Sequence, residues 1–81
     1  MEHLIKEIMA RAIEITMNTE SDIFIDYSGH VNTLYVSYYK NGWKSGIEKD
    51  FDMKINLNFK ISAEQSLKII LEELKKLEEG D

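Results

Sequence analysis

With 81 residues, the chain has room for one small domain (residues 1–81) and no second core. It has no cysteine and only two histidines, His3 and His30, so neither disulfides nor a paired-histidine zinc site is expected to staple the fold. The net charge of −5 opposes a phosphate backbone as the general partner, and nucleic acid is not expected as the main ligand.

The chain opens with Leu4, Ile5, Ile8, Met9, Ala12, Ile13 and Ile15 at the spacing of one helical face, a first helix running to about Met17. Glu2, Lys6, Glu7, Arg11 and Glu14 interrupt the apolar run. No signal segment or membrane span is therefore expected, and the expected location is the cytoplasm. Asn18-Thr19-Glu20-Ser21 is turn-prone, and the β-branched and aromatic Asp22–Tyr27 reads as a strand.

A second strand is expected from Thr33 to Tyr39. A two-residue turn at Gly29-His30 suits a type II′ hairpin, which would set Ile25 opposite Leu34, Ile23 opposite Val36 and Phe24 opposite Tyr35. Asn41-Gly42 also carries a turn signal. However, Gly46 and Glu48-Lys49-Asp50 do not suit a strand, so residues 40–50 are expected to form a long loop. The third strand reads from Phe51 to Ile61, an unbroken apolar/polar alternation that a sheet with one dry face and one wet face requires.

Ser62 and Gln65 form a capping-box pattern ahead of Leu67, Ile70, Leu71, Leu74 and Leu77, with Lys68–Glu72 and Glu72–Lys76 pairs outside and Gly80 as the stop. The expected fold is α+β in the order α-β-β-β-α: a three-stranded antiparallel meander with two helices packed on one face.

Alternation divides the strand residues. Ile23, Ile25, Leu34, Val36, Tyr38, Phe51, Met53, Ile55, Leu57 and Phe59 are expected under the helices. The other face then carries Asp22, Phe24, Asp26, Thr33, Tyr35, Ser37, Tyr39, Asp52, Lys54, Asn56, Asn58 and Lys60. Phe24, Tyr35 and Tyr39 form an aromatic strip there, either a partner surface or ordinary cross-strand pairing.

Trp43 sits among Lys40, Lys44 and Lys49. Its indole could stack on bases or anchor a protein contact, but aromatics more often bury, so folding back over the sheet edge takes precedence. His30 joins the candidate partner-binding residues at the hairpin tip. Asp26 and Ser28 lie near it in sequence, but neighbours around a turn do not make a triad. Gly29, Gly42 and Gly46 are too scattered for a phosphate loop. Catalytic residues, cofactors and metals are not expected.

Two resemblances attach to these residues. The element order, with Tyr27-Ser-Gly-His30 before the second strand and Asn41-Gly42 after it, looks like the double-stranded-RNA-binding domain. That family has a proline in this loop and lysines at the start of its second helix. Here the proline is missing and the helix start is Ser62-Ala-Glu64-Gln-Ser66, so RNA binding does not carry over. Asp22–Asn32, continuing to Tyr38-Tyr-Lys-Asn-Gly-Trp43, is similar to segments of small uncharacterised proteins of Firmicutes phages and prophages. This resemblance implies a cytoplasmic accessory protein and no reaction type.

The functional expectation is a non-enzymatic protein-interaction module that uses the open sheet face, with an unidentified protein partner. The alternative is a weak nucleic-acid-binding domain using the Lys40–Lys49 loop with Trp43. Self-association as a homodimer, through the open face or an edge strand, is compatible with either and would help so small a core.

Overall fold

The computed structural model describes residues 1–79. Helix α1 (Glu2–Asn18) is followed by β1 (Asp22–Ser28), a single 3-10 turn (Gly29–Val31), β2 (Thr33–Tyr39), β3 (Phe51–Asn56) and α2 (Lys60–Glu78). The strands form one antiparallel sheet in the order β1-β2-β3. Residues 40–50 contain no strand, as expected.

Both helices cover the same sheet face. Leu4, Ile8 and Ile15 of α1 meet Leu67, Ile70, Leu71 and Leu74 of α2 over Leu34, Val36, Tyr38 and Ile55 of the sheet. Arg11 ties the helices at their surface by donating hydrogen bonds to Glu7 within α1 and to Glu78 of α2. Among the described residues, every buried polar side-chain atom has a hydrogen-bond partner. No described helix is long and apolar enough to cross a membrane.

Three local expectations fail. The β1–β2 hairpin does not turn on Gly29-His30: the register pairs Ile25 with Val36, Ile23 with Tyr38 and Phe24 with Ser37. Four residues span the turn, and Asn32 supplies the left-handed residue at φ 49°. Asparagine tolerates that conformation, and its side chain is held on both sides. The Tyr27 hydroxyl donates to Asn32 Oδ1 at 2.7 Å, and Asn32 Nδ2 donates to Asn58 Oδ1 at 3.0 Å.

The third strand stops at Asn56 instead of Ile61. Its pairing with β2 runs out at Thr33, and Asn56 turns the chain: its Oδ1 accepts from the Asn58 amide at 3.0 Å. Leu57 still buries beyond the strand end. Phe59, expected in the core, is 66% exposed, and Ile61 is 80% exposed.

The second helix therefore begins at Lys60, with Phe59 preceding it and no side-chain cap; Ser62 and Gln65 lie inside its first turns. Its surface ion pairs are Lys68–Glu64, Lys75–Glu72 and Lys76–Glu73. The expected stop at Gly80 falls outside the described residues.

Candidate functional site: the uncovered sheet face

On the face away from the helices, register brings the aromatic residues together. Phe24 lies across from Ser37, and Asp22 from Tyr39, so the Phe24 and Tyr39 rings meet on the diagonal. They pack edge to face, with centroids 5.8 Å apart and planes at 80°, a favoured quadrupole arrangement. Ser37 is small and buried between them. The result is a hollow of about 190 Å³ lined by Phe24, Asp26, Tyr35, Ser37, Tyr39, Trp43 and Lys49.

The long loop after β2 forms the rim. It is fixed where it leaves and where it returns. The Lys40 carbonyl accepts from the Ser21 hydroxyl at 2.7 Å, and the Lys40 amide donates to Asp50 Oδ2 at 2.6 Å. The Asp50 amide donates to the Tyr38 carbonyl at 3.0 Å.

Gly42 makes the sharp bend at φ +90°, where a Cβ would stand 3.1 Å from the Glu20 carbonyl oxygen. The next residue, Trp43, donates its backbone N–H to Asp22 Oδ2 at 2.8 Å. The anchor is thus made by main chain, and the indole projects over the hollow while remaining 56% exposed. The loop does fold back over the sheet, yet it does not bury the tryptophan.

On the opposite rim, Tyr35 donates its hydroxyl hydrogen to Asp52 Oδ2 at 3.0 Å and accepts from Lys49 Nζ at 2.8 Å. Lys49 Nζ also stands 4.9 Å from the Tyr35 ring centroid, within cation–π range. The hydrogen bond to Tyr35 raises the Lys49 ammonium above its ordinary pKa, so the lysine stays charged.

Four of the five sequence candidates, Phe24, Tyr35, Tyr39 and Trp43, therefore line one hollow. His30 does not join them; it stands exposed in the 3-10 turn at the hairpin tip. Tyr39 is only 9% exposed and forms the floor rather than a contact. The protruding groups are Phe24 and Trp43. Among the described residues, no three acidic or histidine side chains gather as a metal set.

Sequence reasoning missed a second depression. A groove of about 710 Å³ lies beside the start of α1, walled by Ile5 and Met9, by Ile25 and Tyr27 of β1, and by Leu34 and Leu57. Its sequence signal was the recurrence of Ile5, Met9, Ile13 and Met17 every fourth residue, a row that widens the apolar face of α1 beyond its core positions.

Compared with protein-family models, curated proteins and solved structures, the chain matches none.

Proposed function

We propose that the chain is a non-enzymatic protein-interaction module that presents the uncovered sheet face, with Phe24 and Trp43 as anchors, to a protein partner. The single observation behind this reading is that an exposed tryptophan and an exposed phenylalanine overhang a hollow whose rim is already fixed by hydrogen bonds within the chain. Holding the loop in place in advance lowers the ordering cost of binding. Large aromatic anchors ringed by polar groups are the usual composition of contact hot spots.

The resemblance to phage and prophage proteins supports a cytoplasmic accessory role for such a module. The nucleic-acid alternative has less behind it. Of the loop lysines, Lys49 is engaged with Tyr35, and the loop is itself held by carboxylates, Asp50 on the Lys40 amide and Asp22 on the Trp43 amide, which oppose a phosphate backbone.

The test is affinity capture from nuclease-treated bacterial lysate, with a Phe24→Ala/Trp43→Ala double variant run beside the parent chain. These two residues are exposed, so the variant keeps its fold; replacing the buried Tyr39 would not separate binding from folding. A protein retained by the parent and lost by the folded variant is the expected result. Equal capture by both would reject the reading.

A further inference from the structure

Both free edges of the sheet carry charge, β3 through Asp52 and Lys54 and β1 through Asp22 and Asp26. Yet β1 has no lysine, proline or glycine, and among the described residues no strand pairs with its outer side. Natural sheets usually protect such an edge. Beside it runs the apolar row Ile5, Met9, Ile13 and Met17 of α1; Ile13 is 55% exposed.

At about 100° per residue, the apolar positions of α1 sweep roughly 220° of the helix, whereas those of α2, apart from Ile61 and Ile69, fall within about 120°. The core of one chain uses only part of the α1 arc. The remainder lies on the same flank as the unpaired edge of β1, since Ile5 and Met9 share the groove wall with Ile25 and Tyr27.

We propose that this flank binds a second copy of the chain, through antiparallel pairing of β1 with the partner's β1 about a two-fold axis. This surface meets the aromatic hollow only along β1, at Phe24 and Asp26, and the proposal rests on the strand edge and the α1 row rather than on the reading given above.

Register and charge select the self-complementary arrangement. Directly opposed residues share a face, so a register that keeps the helices of both copies on one side pairs like-faced positions. Centred on Phe24, it would set Asp22 against the partner's Asp26. Centred on Asp26, it would set that residue against the partner's Asp26. Centred on Ile25, it sets Ile23 against the partner's Tyr27, Phe24 against the partner's Asp26, and Asp22 against the partner's Ser28.

Only the last of these three opposes no aspartates, leaving the nearest like charges on the diagonal at about 7–8 Å. It builds a continuous six-stranded sheet and brings the two α1 rows side by side. The seven residues of β1 plus that row fall short of the roughly 20–30 residues per side of a standard interface. A reversible dimer follows, with a dissociation constant between roughly 1 μM and 1 mM.

Sedimentation velocity on the full chain across that range should show monomer passing to dimer. Ile13→Lys should weaken dimerisation by at least about tenfold, with an unchanged thermal midpoint at concentrations where the parent chain is monomeric. The register has its own readout, because the chain has no cysteine of its own. Phe24→Cys mixed with Asp26→Cys should oxidise to a crosslinked pair, while either variant alone should crosslink poorly, since only directly opposed positions meet disulfide geometry. A chain that stays monomeric throughout would overturn the proposal and leave the flank to an unlike partner. Association indifferent to Ile13→Lys, or single cysteine variants crosslinking as fast as the mixture, would overturn it equally.

Discussion

Tyr38 and Tyr39 are neighbours in sequence, equally hidden from solvent, and belong to two different environments. Tyr38 points toward the helices, stacks on Phe51 at 5.3 Å with planes 12° apart, and donates its hydroxyl hydrogen to Glu73 of α2 at 3.0 Å. Tyr39 points the other way and is covered by Phe24 and the loop that carries Trp43. The helix-covered face is closed by two elements whose apolar residues meet over the sheet. The opposite face is only rimmed by one loop held through a few polar anchors. Burial therefore has different costs on the two sides, and substitutions should separate them.

The largest effect belongs to the helix-covered face. Leu67 has no exposed surface at the centre of the core, and Leu67→Ala should cost about 2–5 kcal/mol. For a domain of this size, that would bring denaturant unfolding close to water. A loss under about 1 kcal/mol would show that the core repacks around the gap.

On the loop side, Gly42→Ala must strain a backbone at φ +90° and crowd the Glu20 carbonyl. It should cost about 1 kcal/mol or more in the same denaturation experiment. It should also loosen the Trp43 anchor, visible as a shifted tryptophan emission maximum.

Tyr38 distinguishes the faces by pH. Burial, reinforced by the hydrogen bond to Glu73, pushes its phenol up from 10.0 to about 12. The folded state thus holds this proton more tightly than the unfolded chain does. The resulting stabilisation is complete below pH 10 and is lost as pH rises toward 12. Tyr38→Phe should flatten the fall of stability across that window; an unchanged slope would mean that another group is responsible.

The smallest expected effect is that of Phe24→Ala/Trp43→Ala on stability. Both rings are exposed, so the double variant should lose no more than about 1 kcal/mol. A loss as large as that of Leu67→Ala would mean that the rings serve structure alone.

The contrast also separates what could be read from the chain from what could not. The face each strand residue occupies depends on parity. The expected β1–β2 register was wrong by two residues, yet Ile23, Ile25, Leu34 and Val36 still face the helices. Which residues meet depends on register itself, and register was set by a left-handed Asn32 whose amide is held by Asn58, 26 residues along the chain. No local turn rule contains that contact.

The same error hid the hollow. Phe24 opposite Tyr35 would have filled the space that small Ser37 leaves open. Beyond Asn56 the alternation continues in sequence, but β2 has no further residue to pair with it. Phe59 and Ile61 consequently lie on the surface. The aromatic strip was legible because it needed only the alternation, whereas the position of Trp43 needed Asp22 to capture its backbone N–H.

Trp43 is the chain's single tryptophan, so its fluorescence reports this face alone. Iodide quenching should therefore be measured on the free protein and again in complex with the protein it captures. Ready quenching is expected in the free protein, where Trp43 is 56% exposed, and strong protection in the complex. A ring quenched equally in both states would contradict the assignment of the interaction to the uncovered sheet face.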